Sequence, residues 1–250
     1  DTQAEQQAVS PGEPKRCWLR AAVLEAGLIA PQVLMYWPSL AGEKILLPLD
    51  LLAEPQVYLP PTPEYQEHLP PHNYILSDQV LSLEISRRFC TTEIRAGRLP
   101  LWCPNYFLGA PVTKWPKYSP YNALYYVLPK PVTLAWIHLL KSLVGGIGAY
   151  LFFRRVLQVG FWAGALSAWC FPITGFLVLW QGFTMSQTIS WFPWLLLAVD
   201  RSVGRPGGWG PMGLIAATAL TLLSGQFDVA ALALLAAGLF GLWTLAEQLA

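Results

Sequence analysis

Long apolar runs alternate with one extended polar stretch along this chain. The runs fall at roughly 18–40, 131–153, 161–180, 187–199, 211–224 and 228–246. A membrane-crossing helix needs about 20 mainly apolar residues, so each run predicts a transmembrane helix. Pro193 and Gly225 interrupt the fourth and fifth runs, which are short. The pattern predicts an all-α polytopic membrane protein. It comprises an N-terminal segment over 1–17, a first span at 18–40, a long loop over 41–130 and five further spans within 131–250. The chain starts without Met and stops inside an apolar run at Ala250, so it reads as a piece of a longer protein.

The long loop changes character along its length. Its first part, ILLPLDLLAEPQVYLPPTPEYQEHLPP, is Pro-rich and resists both helix and sheet. In SDQVLSLEISRRFCTTEIRAG, Val80, Leu81, Leu83, Phe89 and Ile94 supply an apolar side. Arg87, Arg88, Glu93 and Arg95 supply a polar one, Ser77 or Asp78 suits an N-cap, and Gly97 suits a stop. These positions predict an amphipathic helix near 79–96 lying along the membrane surface. Two aromatic, Pro-containing stretches follow, IRAGRLPLWCPNYFLGAP and KWPKYSPYNALYYVLP. The loop is therefore expected to lie on the bilayer rather than reach into water.

Composition agrees with a membrane location. The 250 residues are 54% hydrophobic and 12% charged, about half the roughly 25% charged of a soluble domain. Mean hydropathy is +0.39, and 12 Trp and 10 Tyr can furnish interface anchors. A net charge of +1 gives no reason to expect nucleic acid. Lys15, Arg16 and Arg20 precede the first span, Arg154 and Arg155 close the second, and Arg201 and Arg205 follow the fourth. All three clusters fall on one side if the spans alternate, and the opposite short loops, QGFTMSQ and GQFD, carry no Lys or Arg. The basic side is expected to be cytoplasmic, which makes 41–130 an extracytoplasmic loop. Cys90 and Cys103 share that loop and can either pair in an oxidising compartment or remain thiols. No P-loop, GxSxG, HExxH or CxxC motif occurs.

A family resemblance enters with the loop. The order is an Asp–Gln at 78–79, an Arg-bearing amphipathic helix, RAGRLPLW, Pro–Asn–Tyr, Gly–Ala–Pro, an aromatic Ser–Pro segment and a span with a His near its start. From about Asp50 to Ala250 this resembles the bacterial YfhO-type membrane proteins, placed with the GT-C glycosyltransferase superfamily. RAGRLPLW followed by GAP is the most specific part. One departure is Cys103, where the family usually has Asn after the Trp. The resemblance implies a GT-C-like helical bundle in the bacterial inner (cytoplasmic) membrane. It also implies sugar transfer from a polyprenyl-phosphate donor to a glycan, teichoic-acid-like or protein acceptor, with a loop carboxylate as base. Many GT-C enzymes that use monophosphate carriers manage without metal, so neither metal nor cofactor is expected.

Each candidate residue carries two readings. Asp78 is the first choice for a base that takes the acceptor proton, and a helix N-cap is its alternative; Asp50 is the second choice, or a solvated loop carboxylate. Lys141 and His138 share one helix face at i and i+3, at a depth where an unpartnered charge costs several kcal/mol. They suit a lipid-linked phosphate, unless Lys141 pairs with Glu25. Arg87, Arg88 and Arg98 suit the donor phosphate, or lipid head groups. Trp102, Asn105 and Tyr106 are candidate sugar or acceptor contacts, although Trp102, like Trp115, Tyr118 and Tyr121, also suits an interface anchor. Gln226 and Asp228 are further contacts at a position where the family often reads His–Pro–Gln, or plain loop. A transporter-like protein and a catalytically silent GT-C-like scaffold are the competing functions.

Overall fold

Apolar runs that lack a two-residue alternation fold here as helices. The computed structural model describes residues 13–53, 73–104, 108–112, 118–204 and 207–249, with side chains from Trp18 onward. Helix α1 (Glu13–Leu40) leads into the loop, where a π-helical turn at Gln79–Leu83 opens α2 (Glu84–Arg95). A two-stranded hairpin follows, β1 (Trp102–Cys103) against β2 (Ala110–Pro111), with Trp102 opposite Pro111. Then come α3 (Pro120–Val127), α4 (Thr133–Arg155), α5 (Phe161–Cys170) and α6 (Gly175–Leu179). The bundle closes with α7 (Thr184–Ile189), α8 (Phe192–Gly204), α9 (Gly210–Leu223) and α10 (Phe227–Leu249).

Four stretches are long and apolar enough to cross a membrane: Trp18–Leu40, Thr133–Arg155, Phe161–Leu179 and Phe227–Leu249. The other two predicted spans take a different form. The run expected at 187–199 starts earlier, as α7 and α8 in succession, broken at Ser190–Trp191 just ahead of Pro193. Proline suits a first helical turn but not an interior one, so the helix restarts there. From Thr184 to Gly204 the pair rises roughly 30 Å, the thickness of a hydrocarbon core. Helix α9 has only 14 residues, a rise of roughly 21 Å.

Helix α4 is the hub, packed against α1, α3, α5, α7 and α8. Its Gly145–Gly146–x–Gly148 run makes the close approach feasible. A Cβ on Gly145 would come within 2.7 Å of the Phe171 ring, and one on Gly148 within 2.5 Å of the Trp194 indole. A Cβ on Gly146 would collide with Leu28 of α1. Elsewhere inside the bundle the contacts are small residues, Ala165, Ala168, Ala230, Ala233 and Ala237, which let helices approach without a water-driven core. Large apolar side chains point outward instead, among them Leu34, Trp37, Ile215, Leu232 and Leu239.

The basic residues Arg20, Arg154, Arg155 and Arg201, which flank the spans, gather at one end. Arg20 lies 5.5 Å from the Phe161 ring centre, Arg154 donates to the Val159 carbonyl at 2.5 Å, and Arg155 and Arg201 line a common cleft.

The loop helix forms where expected and ends at Gly97, which has φ +74. The Arg98 N–H reaches the Glu93 carbonyl at 2.9 Å and the Gly97 N–H reaches that of Ile94 at 3.0 Å. This two-bond closure satisfies the last carbonyls of the helix.

Two expectations are corrected. Asp78 is no N-cap: it has helical angles, φ −59 and ψ −24, and its side chain caps nothing. The preceding 3-10 turn is capped instead by Asn73, whose Oδ1 accepts from the Ile75 N–H at 3.1 Å. The helix also departs from a simple amphipathic pattern at a few positions, although Arg88 and Arg95 stay exposed and Val80 is buried. Arg87 is 2% exposed, whereas Leu81 and Ile85 are 37% and 48% exposed. Arg87 finds Glu84 and the face of Tyr125 inside the fold, while apolar side chains lose nothing by facing lipid. Cys90 and Cys103 share a buried cluster with Val112, both as thiols.

The hub makes a prediction. Gly146→Leu is expected to destabilise the purified protein by about 1–3 kcal/mol, read as a lower thermal midpoint. Gly160→Ala, where a Cβ meets nothing within 4 Å, should leave that midpoint unchanged.

Candidate functional site

Two adjoining spaces lie where the loop helix meets the ends of α7 and α10. The first is an open cleft of about 540 Å³. Asp78 and Ser82 line it from the loop, Thr184 from the start of α7, and Gln226 and Asp228 from the turn between α9 and α10. The π-helical turn begins directly after Asp78; such turns add a residue and re-aim neighbouring side chains, often at functional sites. Gly225, with φ +87, reverses the chain between α9 and α10. Gln226 is fixed by Thr184, whose hydroxyl donates to its Oε1 at 2.6 Å. Asp78 and Asp228 are both exposed to the cleft.

Leu83 separates this cleft from a second, buried cavity with about 40 Å³ open to water, room for about three molecules at roughly 10–15 Å³ each. Gln79, Glu84, Arg87, Asn122, Lys141, Gln181 and Gln187 supply its polar lining. Lys141 donates from Nζ to the Gln181 carbonyl at 2.5 Å and to the Ser186 hydroxyl at 2.7 Å. That carbonyl is free to accept because the chain turns between α6 and α7. Gln187 Nε2 donates to Asn122 Oδ1 at 3.3 Å. From the loop, Arg87 pairs with Glu84 and stacks 4.0 Å from the Tyr125 ring centre. Burial pushes its pKa down to about 10, so the guanidinium stays charged at neutral pH.

Arg87 Nη1, Gln181 Oε1 and Gln187 Oε1 are buried without a hydrogen-bond partner among the described residues. A buried polar atom left unpaired costs about 1–3 kcal/mol, so the cavity calls for water or a polar ligand. Two cations against the single carboxylate of Glu84 tilt it toward negative charge. Tyr121 ties α3 to the break between α7 and α8, its hydroxyl 2.6 Å from that of Ser190.

The candidates therefore sort by position. Asp78, Gln226 and Asp228, distant in sequence, meet in the cleft, and Arg87 and Lys141 meet in the cavity. His138 parts company with Lys141 and packs edge-on against Tyr36, ring centres 4.6 Å apart. Glu25 is exposed on α1, and Lys141 bonds to α7 and the turn before it instead. Arg88 is exposed and bound to Glu84 at 2.5 Å; Arg98 is exposed and holds Glu93 through two bonds of 2.7 and 2.6 Å. Trp102 lies across Gly109, which has φ +105. Asp50 sits in a short turn, Leu49–Ala53, and lines neither space. Asn105, Tyr106 and Trp115 lie outside the described residues.

Sequence reasoning missed Gln79, Glu84, Asn122, Gln181 and Gln187. The available signal was the polar run WQGFTMSQTIS, which a plain loop reading absorbed. Comparison with family models, curated proteins and solved structures gives no match.

The capping geometry is testable. Asn73→Ala should cost about 1 kcal/mol of stability, whereas Asp78→Ala should stay within about 0.5 kcal/mol of the parent. Thermal unfolding of the purified protein checks both.

Proposed function

We propose that the cleft is the acceptor and sugar site of an integral membrane glycosyltransferase that uses a polyprenyl-phosphate donor. The observation that carries the reading is the meeting of Asp78 with Asp228 and Gln226 in an open cleft, beside a buried cavity holding Arg87 and Lys141. Asp78 serves as the base. It takes the proton of the acceptor hydroxyl as that oxygen bonds to the anomeric carbon, and the bond from that carbon to the carrier phosphate breaks. The carrier leaves as an anion, and the positive cavity behind Leu83 favours its departing charge. Gln226 and Asp228 hold sugar or acceptor hydroxyls.

The cleft end is extracytoplasmic in this reading, because the arginines beside the short connections, Arg20, Arg154, Arg155 and Arg201, gather at the other end of the α7–α8 pair. Exposed Leu99, Leu101, Trp102 and Leu108 on the hairpin suit docking to the bilayer surface beside the site. Arg88 and Arg98 are left out of the phosphate role, since each already holds a glutamate outside both spaces.

The test uses the full-length protein in membranes supplied with polyprenyl-phosphate-linked sugars. Wild type should consume donor and form a glycosylated product. A positioned general base contributes about 10²–10⁴-fold, so Asp78→Asn should lose activity by that order while Asp50→Asn retains it. If wild type transfers from no such donor, the enzyme reading fails and a scaffold role replaces it. If it instead moves the intact carrier across the bilayer, the transporter class gains, to which the broken α7–α8 span also lends itself.

A further inference from the structure

The end of the bundle opposite the cleft carries a second pair of connected spaces. An apolar groove of about 290 Å³ runs between α8 and α9. Trp191 at the α7–α8 break and Trp194, Leu197 and Ala198 of α8 form one wall, and Gly213, Ala217 and Leu220 of α9 form the floor. The small side chains of α9 recess that floor, so the groove follows from sequence. It opens at one end into a polar mouth of about 510 Å³ lined by Arg155, Asp200 and Arg201, with Arg201, Trp209 and Gly210 common to both spaces.

Length and charge identify the occupant. From Trp191 to Arg201 a helix rises roughly 15 Å, half of a hydrocarbon core about 30 Å thick. The groove is thus one leaflet deep, with its cationic mouth at the membrane edge. The Arg155 and Arg201 side chains make no hydrogen bond or ion pair of 4 Å or less among the described residues, and Asp200 offsets only part of their charge. Trp209, 83% exposed at the mouth, is a residue type that settles at the head-group level. Two cations above an apolar slot of single-leaflet depth match a phosphate head group on an acyl chain.

We propose that the α8–α9 groove and its Arg155–Arg201 mouth form a binding site for an anionic phospholipid. The acyl chain lies along Leu197, Gly213 and Ala217, and the phosphodiester meets the two guanidinium groups. The site is separate from the Asp78 cleft and does not depend on sugar transfer.

The test compares the full-length protein in nanodiscs of phosphatidylcholine with and without one quarter phosphatidylglycerol. Lipid retained after detergent extraction is read by native mass spectrometry, and the thermal midpoint is followed in parallel. Wild type should retain phosphatidylglycerol over phosphatidylcholine and melt higher when it is present. Each of Arg155→Gln and Arg201→Gln should cut that preference roughly fivefold, the effect of about 1 kcal/mol per basic residue at a lipid surface. Gly213→Leu, which fills the groove but keeps both arginines, should release the bound lipid without lowering the midpoint measured in phosphatidylcholine alone. Equal retention of the two lipids would overturn the proposal, because the arginines would then select nothing. Absence of retained lipid, with Gly213→Leu lowering the midpoint in both nanodiscs, would overturn it in favour of a protein segment packed in the groove.

Discussion

A buried ammonium organises this fold. Lys141 sits in the middle of the hub helix and satisfies its charge with one backbone carbonyl and one hydroxyl, both from the chain around the start of α7. An unpaired charge at that depth would cost several kcal/mol. The chain therefore cannot run through 180–186 as a featureless helix, because a carbonyl must stay unengaged to receive the proton donor. The turn at Gln181–Gly182 provides it, and the Gln79 amide packs directly against Gly182, where a Cβ would collide with it. That contact draws in the first turn of the loop helix, and with it the residues on either side of the Leu83 partition.

The result is a division of charge between two compartments. Asp78 and Asp228 sit in the open cleft, while Arg87 and Lys141 sit behind them in a small polar cavity with the single carboxylate of Glu84. The loop helix departs from the usual surface logic where it turns Arg87 toward the protein and Ile85 away. Water would reverse that choice, whereas a lipid environment rewards it.

Features governed by local rules were legible in the chain. The helix stop at Gly97 follows from a residue that tolerates φ +74, and the gathering of Arg20, Arg154 and Arg155 follows from simple alternation of spans. Features that depend on distant partners were not legible. Asp78 looked like a cap because Asp favours that position, yet Asn73, five residues upstream, supplies the cap for the preceding turn. Glu25 looked like a partner for Lys141 because opposite charges attract, but a backbone carbonyl 40 positions along the chain is nearer. Arg87 and Arg88 are neighbours of identical type with opposite fates, because one turns toward the Tyr125 ring of another helix and the other turns outward. The polar residues of 181–190 hid in a short connection because hydropathy averages over the run in which the buried Gln187 and Thr188 sit.

The Lys141 contacts also set a problem of timing for the ribosome and the insertion machinery. Lys141 is joined to the growing chain before its partner carbonyl, 40 residues later, has been made. At about 5–20 residues per second that interval lasts roughly 2–8 s. At the centre of a lone helix in lipid a Lys contributes about 2.5–3.5 kcal/mol against insertion, which the apolar residues of the helix must offset. Both acceptors of the Lys141 ammonium, the Gln181 carbonyl and the Ser186 hydroxyl, become available only once the start of α7 has been made.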